Sequence, residues 1–182
     1  MTIALLRRHT FLFSLSLSLV IPFLPLLALE IGASDVEIGL LASVQGVVNM
    51  LAQLLLVPCI PQAKKKHAML AIPLMLALCL ATFSLVKSFF ALLLLTSIGS
   101  ALLGSFSPLY SELLLHSLPS YKRGELLGSL SLASSLGSMT GSLVGGAIIS
   151  KLGFSAYLFL LASFLCIASL PFLLRARIRI KF

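Results

Sequence analysis

Charged residues are scarce in this sequence. Only 10% of the 182 residues are Asp, Glu, Lys or Arg, against about one quarter in an average soluble domain. Hydrophobic residues make up 59% of the chain, and its mean hydropathy is +1.15. A chain with so few charges is poorly suited to cover a soluble domain with polar surface, so the composition predicts a protein embedded in a lipid bilayer.

Cysteine is also rare, and neither cysteine nor histidine forms a metal-binding pattern. The cysteines are odd in number and lie within or at the ends of apolar runs, where we expect small core residues: Cys59, Cys79 and Cys166. The histidines have no companions at metal-ligand spacing, and we predict them to be surface residues: His9, His67 and His116. The sequence therefore predicts no metal site and no cofactor.

The motifs of membrane enzymes and of nucleotide-driven pumps are missing as well. An intramembrane protease requires a serine with a histidine, or a pair of aspartates, within its spans. A nucleotide-driven pump requires a phosphate-binding G-x-x-x-x-G-K-[ST] loop. The sequence contains neither arrangement, so we predict that the protein is not an enzyme.

Long uncharged runs dominate the chain. A membrane-spanning helix needs about 20 consecutive, mostly apolar residues, and six such runs are present, at about 10–31, 37–61, 68–86, 89–116, 126–150 and 154–174. The first run is longer than the core of a cleaved secretory signal and contains two prolines, so we predict a span there too. The prediction is an all-α, multi-pass membrane protein in which residues 1–182 form a single domain of six transmembrane helices.

Lysine and arginine are distributed unevenly between the connections. Cytoplasmic segments of membrane proteins are enriched in these residues. With the N-terminus inside the cell, only Lys87 and Lys151 of the 13 lysines and arginines would lie outside. We therefore predict that both termini are cytoplasmic and that the protein lies in the cell membrane. This topology explains the net charge of +8, and cations scattered over short connections do not indicate nucleic-acid binding.

The two halves of the chain share a short internal repeat. "FLPL" at 23–26 in the first run is echoed by "FSPL" at 106–109 in the fourth, and each is followed by a polar break and a helix that begins near a glycine. Three spans separate the two copies, so the second copy would be inverted relative to the first. This pattern predicts a 3+3 inverted repeat, an architecture common among membrane carriers, with repeats at about 1–87 and 88–182.

Two long segments resemble a known transporter family. They are "IPFLPLLALEIGASDVEIGLLASVQGVVNMLAQ" (21–53) and "FSPLYSELLLHSLPSYKRGELLGSLSLASSLGSMTGSLVGGAII" (106–149). The proline-rich exit from helix one, the "I-G-L-L-x-S" entry into helix two and the "K-R-G-x-x-x-G" entry into helix five resemble the N-terminal six-helix half of a major facilitator superfamily (MFS) transporter. The resemblance covers nearly the whole chain and implies an MFS-type half bundle.

Complete carriers of this family have two such halves, and substrate crosses in the cleft between them by alternating access. The resemblance therefore implies secondary active transport of a small solute after pairing with a second six-helix half, either another copy of this chain or a separately encoded one. A lone half would turn its polar cleft toward lipid, where unpaired polar groups are costly. The alternative is a truncated or degenerate family member without transport activity, with a structural or assembly role.

Four glycines are concentrated in the fifth run, within "GSMTGSLVGG". Each costs a helix about 1 kcal/mol relative to alanine, and Gly137, Gly141 and Gly145 share one face. Close backbone contact with another membrane helix would offset this cost. These glycines and Gly146 match the family's G-x-x-x-G-P-x-x-G-G signature, in which Ser142 replaces the proline. By this resemblance, the glycine face would pack between the two halves. Packing within one bundle is the alternative.

Two charged motifs of the family are absent. The loop between helices two and three usually reads G-x-x-x-D-R-x-G-R-R/K, whereas Val57, Pro61, Gln62 and Lys64 occupy its Gly, Asp, Arg and Gly positions. Helix four lacks the arginine of antiporter-type members and has Thr96 or a neighbouring residue at that position. By resemblance, the missing acid and arginine form a charge relay that gates the inner face, so normal gating and proton antiport are not predicted.

The resemblance also nominates residues of a transport pathway. Helices one and four face the cleft in the family, so the candidates are Ser14, Ser18, Pro22, Pro25, Ser107, Tyr110, Ser111 and Glu112. Glu112 is an acid inside an apolar run, where a carboxylate costs about 2.5–3.5 kcal/mol and usually marks a functional residue. Its alternative role is structural, because it lies about one turn from the cytoplasmic end and could reach headgroups, Lys122 or Arg123.

Three amides share one face of the second run at four-residue spacing: Gln45, Asn49 and Gln53. They could hydrogen-bond across a helix interface or bind a polar substrate. In the family, helix two lies beside the opposite half, which favours a helix interface. Because the three amides could also bind a polar substrate, we include them among the pathway candidates.

Overall fold

The computed structural model describes residues 2–116, 120–154 and 156–179. These residues form helices and short connections, with no strand among them. Within these described residues, six helical segments are long and apolar enough to cross a membrane, which confirms the predicted runs: Ala4–Glu30, Asp35–Cys59, His67–Leu85, Phe89–Glu112, Arg123–Leu152 and Tyr157–Arg175. They are called the first to sixth spans below.

The first span is broken in its second half. One helix covers Thr2–Ser18, a 3-10 turn covers Ile21–Phe23, and a second helix covers Leu24–Glu30. Pro22 and Pro25 lie at the starts of the last two elements, where a missing backbone N–H removes no internal helical hydrogen bond. The prolines therefore interrupt the first span at positions where their missing N–H groups break no helical hydrogen bond.

The other spans differ in regularity. The second is helical over Asp35–Leu51, widens into a π-helical turn over Ala52–Leu56 and ends with Val57–Cys59. The remaining elements are Gln62–Thr82 with a 3-10 turn at Phe83–Leu85, then Phe89–His116, Ser120–Leu152 and Ala156–Arg179. Prolines lie inside the third, fourth and sixth spans without ending them: Pro73, Pro108 and Pro171.

Short polar connections separate neighbouring spans. Ser34 caps the second span, because its Oγ accepts from the Glu37 backbone N–H at 3.4 Å while Glu37 Oε2 accepts from the Ser34 N–H at 2.8 Å. Gly32 and Gly153 follow the first and fifth spans with φ of +89° and +64°, a left-handed conformation that ends helices and that glycine adopts without strain. These local signals explain why the helices end in the connections at 30–37 and 150–154.

Over the described residues the first, third, fourth and sixth spans each have two main packing partners. The first packs against the fifth and sixth, the third packs against the fourth and sixth, and the second packs against the fourth. Their shared core is apolar, and its fully buried members include Leu19, Leu41, Leu92, Leu109, Leu158, Phe159 and Leu173. Cys79 and Cys166 are buried, as predicted, whereas the prediction is wrong for Cys59, which is exposed at the end of the second span.

The glycines of the fifth span lie directly on the backbone of the first span. A Cβ at Gly141 would stand 2.5 Å from the Leu15 carbonyl oxygen, and one at Gly145 would stand 2.7 Å from that of Leu19. Gly137 is equally close to the first span. The glycine face therefore packs within one bundle, and the first span covers the surface that the family resemblance assigns to the interface between halves.

Two further glycines differ in how tightly they are packed. A Cβ at Gly104 of the fourth span would stand 2.5 Å from the Asn49 carbonyl oxygen of the second span, a contact that the sequence analysis did not predict. A Cβ at Gly146 would make only ordinary contact, 3.5 Å from the Phe23 ring. Close helix approach therefore occurs between the first and fifth spans and between the second and fourth.

Apolar side chains cover the outside of the bundle. Leu54, Leu132 and Leu143 are 62%, 63% and 64% exposed. The second span is the least buried, since 17% of its most apolar stretch lies inside the bundle, against 44% for the third span. Apolar surface of this extent is rare on soluble monomers, so these leucines belong in lipid.

Gly141→Ala is expected to destabilise the protein although alanine is the better helix former. The new methyl group would overlap the Leu15 carbonyl, and overpacking of this kind costs about 1–3 kcal/mol. Gly128→Ala is the matched control, because no atom of the described residues outside its own helix backbone lies within 4 Å of its Cβ position, and it should be neutral or stabilising by up to about 1 kcal/mol. Thermal unfolding in detergent, followed by circular dichroism, measures both. Equal stability of the two variants would contradict the close contact.

Candidate functional site

A cavity of 260 Å³ lies between the first, fourth and fifth spans. Much of its wall is formed by hydroxyl-bearing residues, namely Thr10, Ser14, Ser107, Tyr110, Ser111 and Ser134. Ring and aliphatic side chains complete the wall, namely His9, Phe13, Leu17, Leu103 and Phe106. The cavity therefore brings together three predicted pathway residues of the fourth span, Ser107, Tyr110 and Ser111, with Ser14 of the first.

Two serine pairs join the first and fifth spans beside the glycine contact. Ser14 Oγ lies 2.8 Å from Ser134 Oγ, and Ser18 Oγ lies 2.8 Å from Ser138 Oγ. The pairs are about one helical turn apart along both spans, so they form adjacent steps on one interface. A hydroxyl in an apolar environment is costly when unpaired, and these two hydrogen bonds give each of the four hydroxyls a partner.

Aromatic contacts and one hydrogen bond join the first and fourth spans beside the cavity. The ring centroids of Phe13 and Phe106 are 4.9 Å apart, and those of Phe106 and Tyr110 are 5.4 Å apart. The Tyr110 hydroxyl lies 3.2 Å from Thr10 Oγ1. Tyr110 therefore contributes both an aromatic face and a paired hydroxyl to the cavity wall.

His9 is buried at the edge of the cavity, and its prediction as a surface residue is wrong. The side chain is 1% exposed, and its ring stacks on Phe13 with centroids 5.7 Å apart. Nδ1 lies 3.1 Å from the Ser169 carbonyl oxygen of the sixth span, and it must donate because a carbonyl only accepts. Nε2 is buried without a hydrogen-bond partner among the described residues. The spacing of Leu6, His9 and Phe13, all buried, is the sequence signal that would have placed it inward.

Glu112 forms an ion pair with Lys65, near the start of the helix that contains the third span. Lys65 Nζ donates to both carboxylate oxygens at 2.7 Å, and the side chains of Lys65 and Glu112 are 9% and 28% exposed. The sequence analysis named headgroups, Lys122 and Arg123 as partners and missed Lys65. A local pattern cannot reveal a contact between residues that are 47 positions apart.

The same end of the bundle carries the departures from the family's charged loop. Pro61 follows the end of the second span, and Lys64 is exposed.

Thr96, at or beside the helix-four position of the second missing motif, is buried and forms a hydrogen bond within its own helix. Its Oγ1 donates to the Leu92 carbonyl oxygen at 2.8 Å. The side chains of three residues named in the sequence analysis lie outside the described part of the chain: Gln62, His116 and Lys122.

The amides of the second span lie away from the 260 Å³ cavity. Asn49 Nδ2 donates to the Ser100 carbonyl oxygen of the fourth span at 3.5 Å, and Gln53 Nε2 donates to Asn49 Oδ1 at 2.7 Å. Gln45 lines a separate cavity of 50 Å³, and Pro25 is exposed outside both. The structure therefore separates the second-span amides from the cavity residues, and four predicted pathway residues of the first and fourth spans line neither cavity: Ser18, Pro22, Pro25 and Glu112.

The described residues thus form six apolar spans, three of which border a cavity whose wall includes hydroxyl groups. The sequence profile of the Major Facilitator Superfamily matches residues 10–181. The chain therefore belongs to the Major Facilitator Superfamily, which confirms the resemblance found in the sequence.

Relatives of this chain include multidrug transporters. The multi-drug resistance efflux pump PmrA of Streptococcus pneumoniae is 26% identical over 164 residues, which cover 88% of this chain and 41% of that protein. The multidrug resistance protein MdtG of Enterobacter lignolyticus is 30% identical over 163 residues, which cover 86% and 39%. MdtG of Citrobacter koseri is 29% identical over 176 residues, which cover 94% and 43%. The chain thus spans about two fifths of the length of these relatives.

Lys65 and Glu112 are expected to be thermodynamically coupled. Lys65→Met or Glu112→Gln removes one charge of a partly buried pair, and each should lower the free energy of unfolding by about 1–3 kcal/mol. The double variant should lose less than the sum, because neither charge of the pair is left behind. Lys64→Met, at an exposed neighbouring lysine, is the control and should be nearly neutral. Additive losses in this double-mutant cycle, measured in detergent, would contradict the ion pair.

Proposed function

We propose that this chain is one half of a secondary active transporter that moves a small organic solute across the cell membrane by alternating access. The observation that carries the proposal is the 260 Å³ cavity, whose wall combines hydroxyls and aromatic rings inside an apolar bundle. Polar groups that face a cavity within a membrane protein often mark a substrate pathway. Membership of the superfamily and the similarity to efflux pumps support transport as the role of this cavity.

The wall of the cavity favours an amphipathic organic substrate. Phe13, Phe106 and Tyr110 offer ring surfaces, while Ser107 and Ser111 offer hydroxyls for hydrogen bonds. Sites of this kind bind mainly through apolar contact and are oriented by a few polar groups. PmrA is named a multi-drug resistance efflux pump, and we propose that this chain likewise takes part in the efflux of small drug-like molecules.

A second six-helix bundle would complete the cavity. The volume of 260 Å³ is below the roughly 300–1,000 Å³ of typical ligand sites. The second span offers a surface for a partner, because Gly39, Ser43 and Gly46 form an exposed face of small residues. Apart from the helix's own backbone, no atom of the part of the chain that the structure describes lies within 4 Å of a Cβ at either glycine. Small residues let membrane helices approach closely. We propose that this face contacts the second half, whether another copy of this chain or a separate polypeptide.

The pairing of the spans supports an inverted repeat of residues 1–87 and 88–182. In such a repeat the first, second and third spans correspond to the fourth, fifth and sixth. The contact between the first and fifth spans then corresponds to the contact between the fourth and second. The contact between the first and sixth spans corresponds to the contact between the fourth and third. All four contacts are present, and the contact of third and sixth maps onto itself. Glycine allows close approach at both contacts of the first pair, although the two glycines, Gly141 of the fifth span and Gly104 of the fourth, do not lie on exchanged spans.

We propose that Lys65 and Glu112 take the place of the family's missing gating charges. The pair ties the fourth span to the residues that follow the second span, where the family loop would carry its acid and arginine. An ion pair that forms in one state of the transporter and separates in the other shifts the equilibrium between the two states. Loss of the family motif therefore leaves this chain with a different charge contact at the same end of the bundle.

Ser107→Leu is expected to slow the efflux of a drug-like compound without unfolding the bundle. Ser107 lines the cavity, none of the hydrogen bonds above involves it, and the larger side chain would occupy substrate space. We expect about a tenfold loss of efflux rate, the scale of discrimination by an added apolar group in a pocket. The measurement is ethidium efflux from cells that express the chain in a host without its own multidrug exporters.

The control for this experiment is Ser150→Leu, at an exposed serine of the fifth span. It makes the same change outside the cavity and should retain efflux. Absence of efflux for a broad panel of compounds, together with a monomeric chain in detergent, would contradict transport by two paired copies of this chain. That outcome would favour the alternative, a member of the superfamily with a structural or assembly role.

We propose that both termini are cytoplasmic, and cysteine labelling tests this topology. Cysteines introduced at Lys64 and Lys87, in a chain whose native cysteines are replaced by alanine, should lie on opposite sides of the membrane. A membrane-impermeant maleimide should label position 87 in intact cells and position 64 only after permeabilisation. Labelling of both positions in intact cells would contradict the topology.

A further inference from the structure

A groove of 640 Å³ runs between the fifth and sixth spans, with the first span as its floor. The fifth and sixth spans have little contact with each other over the described residues, which leaves the groove open to the side. Apolar residues line most of it, namely Phe11, Leu12, Leu132, Ala133, Leu136 and Phe172. Two adjacent cations, Arg7 and Arg8, belong to the same lining. This groove is separate from the 260 Å³ cavity and shares only the first and fifth spans with it.

The register of the spans places the arginines at a different depth from the apolar residues. Gly137 lies on Phe11, so Leu136 stands level with Phe11, about one turn deeper than Arg7. Counted at the rise of an α-helix, the residues from Arg7 to Glu30 of the broken first span cover about 35 Å, slightly more than the roughly 30 Å of a hydrocarbon core. The arginines therefore stand at the height of the lipid headgroups, and the ring of Phe11 stands at the height of the acyl chains.

The two arginines are available to bind an anion. Both side chains are exposed, and among the residues that the structure describes neither forms an ion pair. A guanidinium group presents a planar set of donors that matches phosphate oxygens. Basic pockets between spans, next to apolar surface, favour the headgroups of anionic lipids.

We propose that this groove binds an anionic phospholipid, with its phosphate on Arg7 and Arg8 and one acyl chain along Phe11, Leu12 and Leu136. The combination of charge and apolar groove favours a lipid over a free phosphate, because a free phosphate would leave the apolar wall uncovered. The site lies outside the transport cavity, so it does not depend on the proposed function.

Native mass spectrometry of the full chain, purified in detergent, tests the proposal with two probes. Phosphatidylglycerol and phosphatidylcholine with identical acyl chains differ only in their headgroups. We expect the protein to retain phosphatidylglycerol about thirtyfold better, in line with the attraction of two cations at a membrane surface. Arg7→Gln combined with Arg8→Gln should reduce this preference to near one. Lys87→Gln combined with Lys151→Gln removes the same charge at residues outside the groove and should leave the preference unchanged.

A second variant tests the apolar part of the site while keeping both arginines. Leu132 is 63% exposed on the wall of the groove, so Leu132→Trp should fold normally and fill the groove, which should weaken retention of phosphatidylglycerol severalfold. Glycerol 3-phosphate, which carries the phosphate without acyl chains, should not be retained. Equal retention of phosphatidylglycerol by the wild type and the double arginine variant would overturn the proposal. Retention of glycerol 3-phosphate that is insensitive to Leu132→Trp would overturn it in favour of a free-phosphate site.

Discussion

Membrane helices gain little from burying leucine against leucine, because lipid tails are equally apolar. The bundle depends instead on backbone contact between the first and fifth spans at Gly137, Gly141 and Gly145. Each glycine weakens the fifth span as an isolated helix, and each removes the Cβ that would hold the two spans apart. The residues that cost helical stability are therefore the ones that allow the helices to associate.

This contact determines where polar groups can meet. With the two backbones together, serines beside the glycines are close enough to pair, as Ser14 and Ser134 do at 2.8 Å. The neighbouring residues of the first span then face the fourth span, where Thr10 meets Tyr110 and the cavity forms. Because the first span covers the fifth-span glycines, the small residues of the second span remain as the surface on which a second bundle could pack.

The features that could be predicted from the sequence are those that each span has independently of its neighbours. Length and lack of charge are imposed on every span separately by the bilayer, so the six runs and the shared glycine face could be found from local patterns. The neighbour of that face depends on the order of helices around the bundle, which periodicity does not reveal. His9 was misplaced because it follows two arginines at the charged end of a run, although it shares a buried stripe with Phe13. The pairing of Lys65 with Glu112 requires the third and fourth spans to be side by side, which is tertiary information.

The contact between the first and fifth spans is tested most directly by a disulfide between Ser14→Cys and Ser134→Cys in a chain without its native cysteines. The two hydroxyl oxygens are 2.8 Å apart, and a disulfide forms only between residues that are already this closely placed. Ser14→Cys combined with Ser150→Cys is the control, since position 150 is about four turns further along the fifth span. Mass spectrometry of proteolytic peptides should find an intrachain cross-link in the first variant and none in the control. Absence of that cross-link, or its formation only between separate chains, would contradict the account.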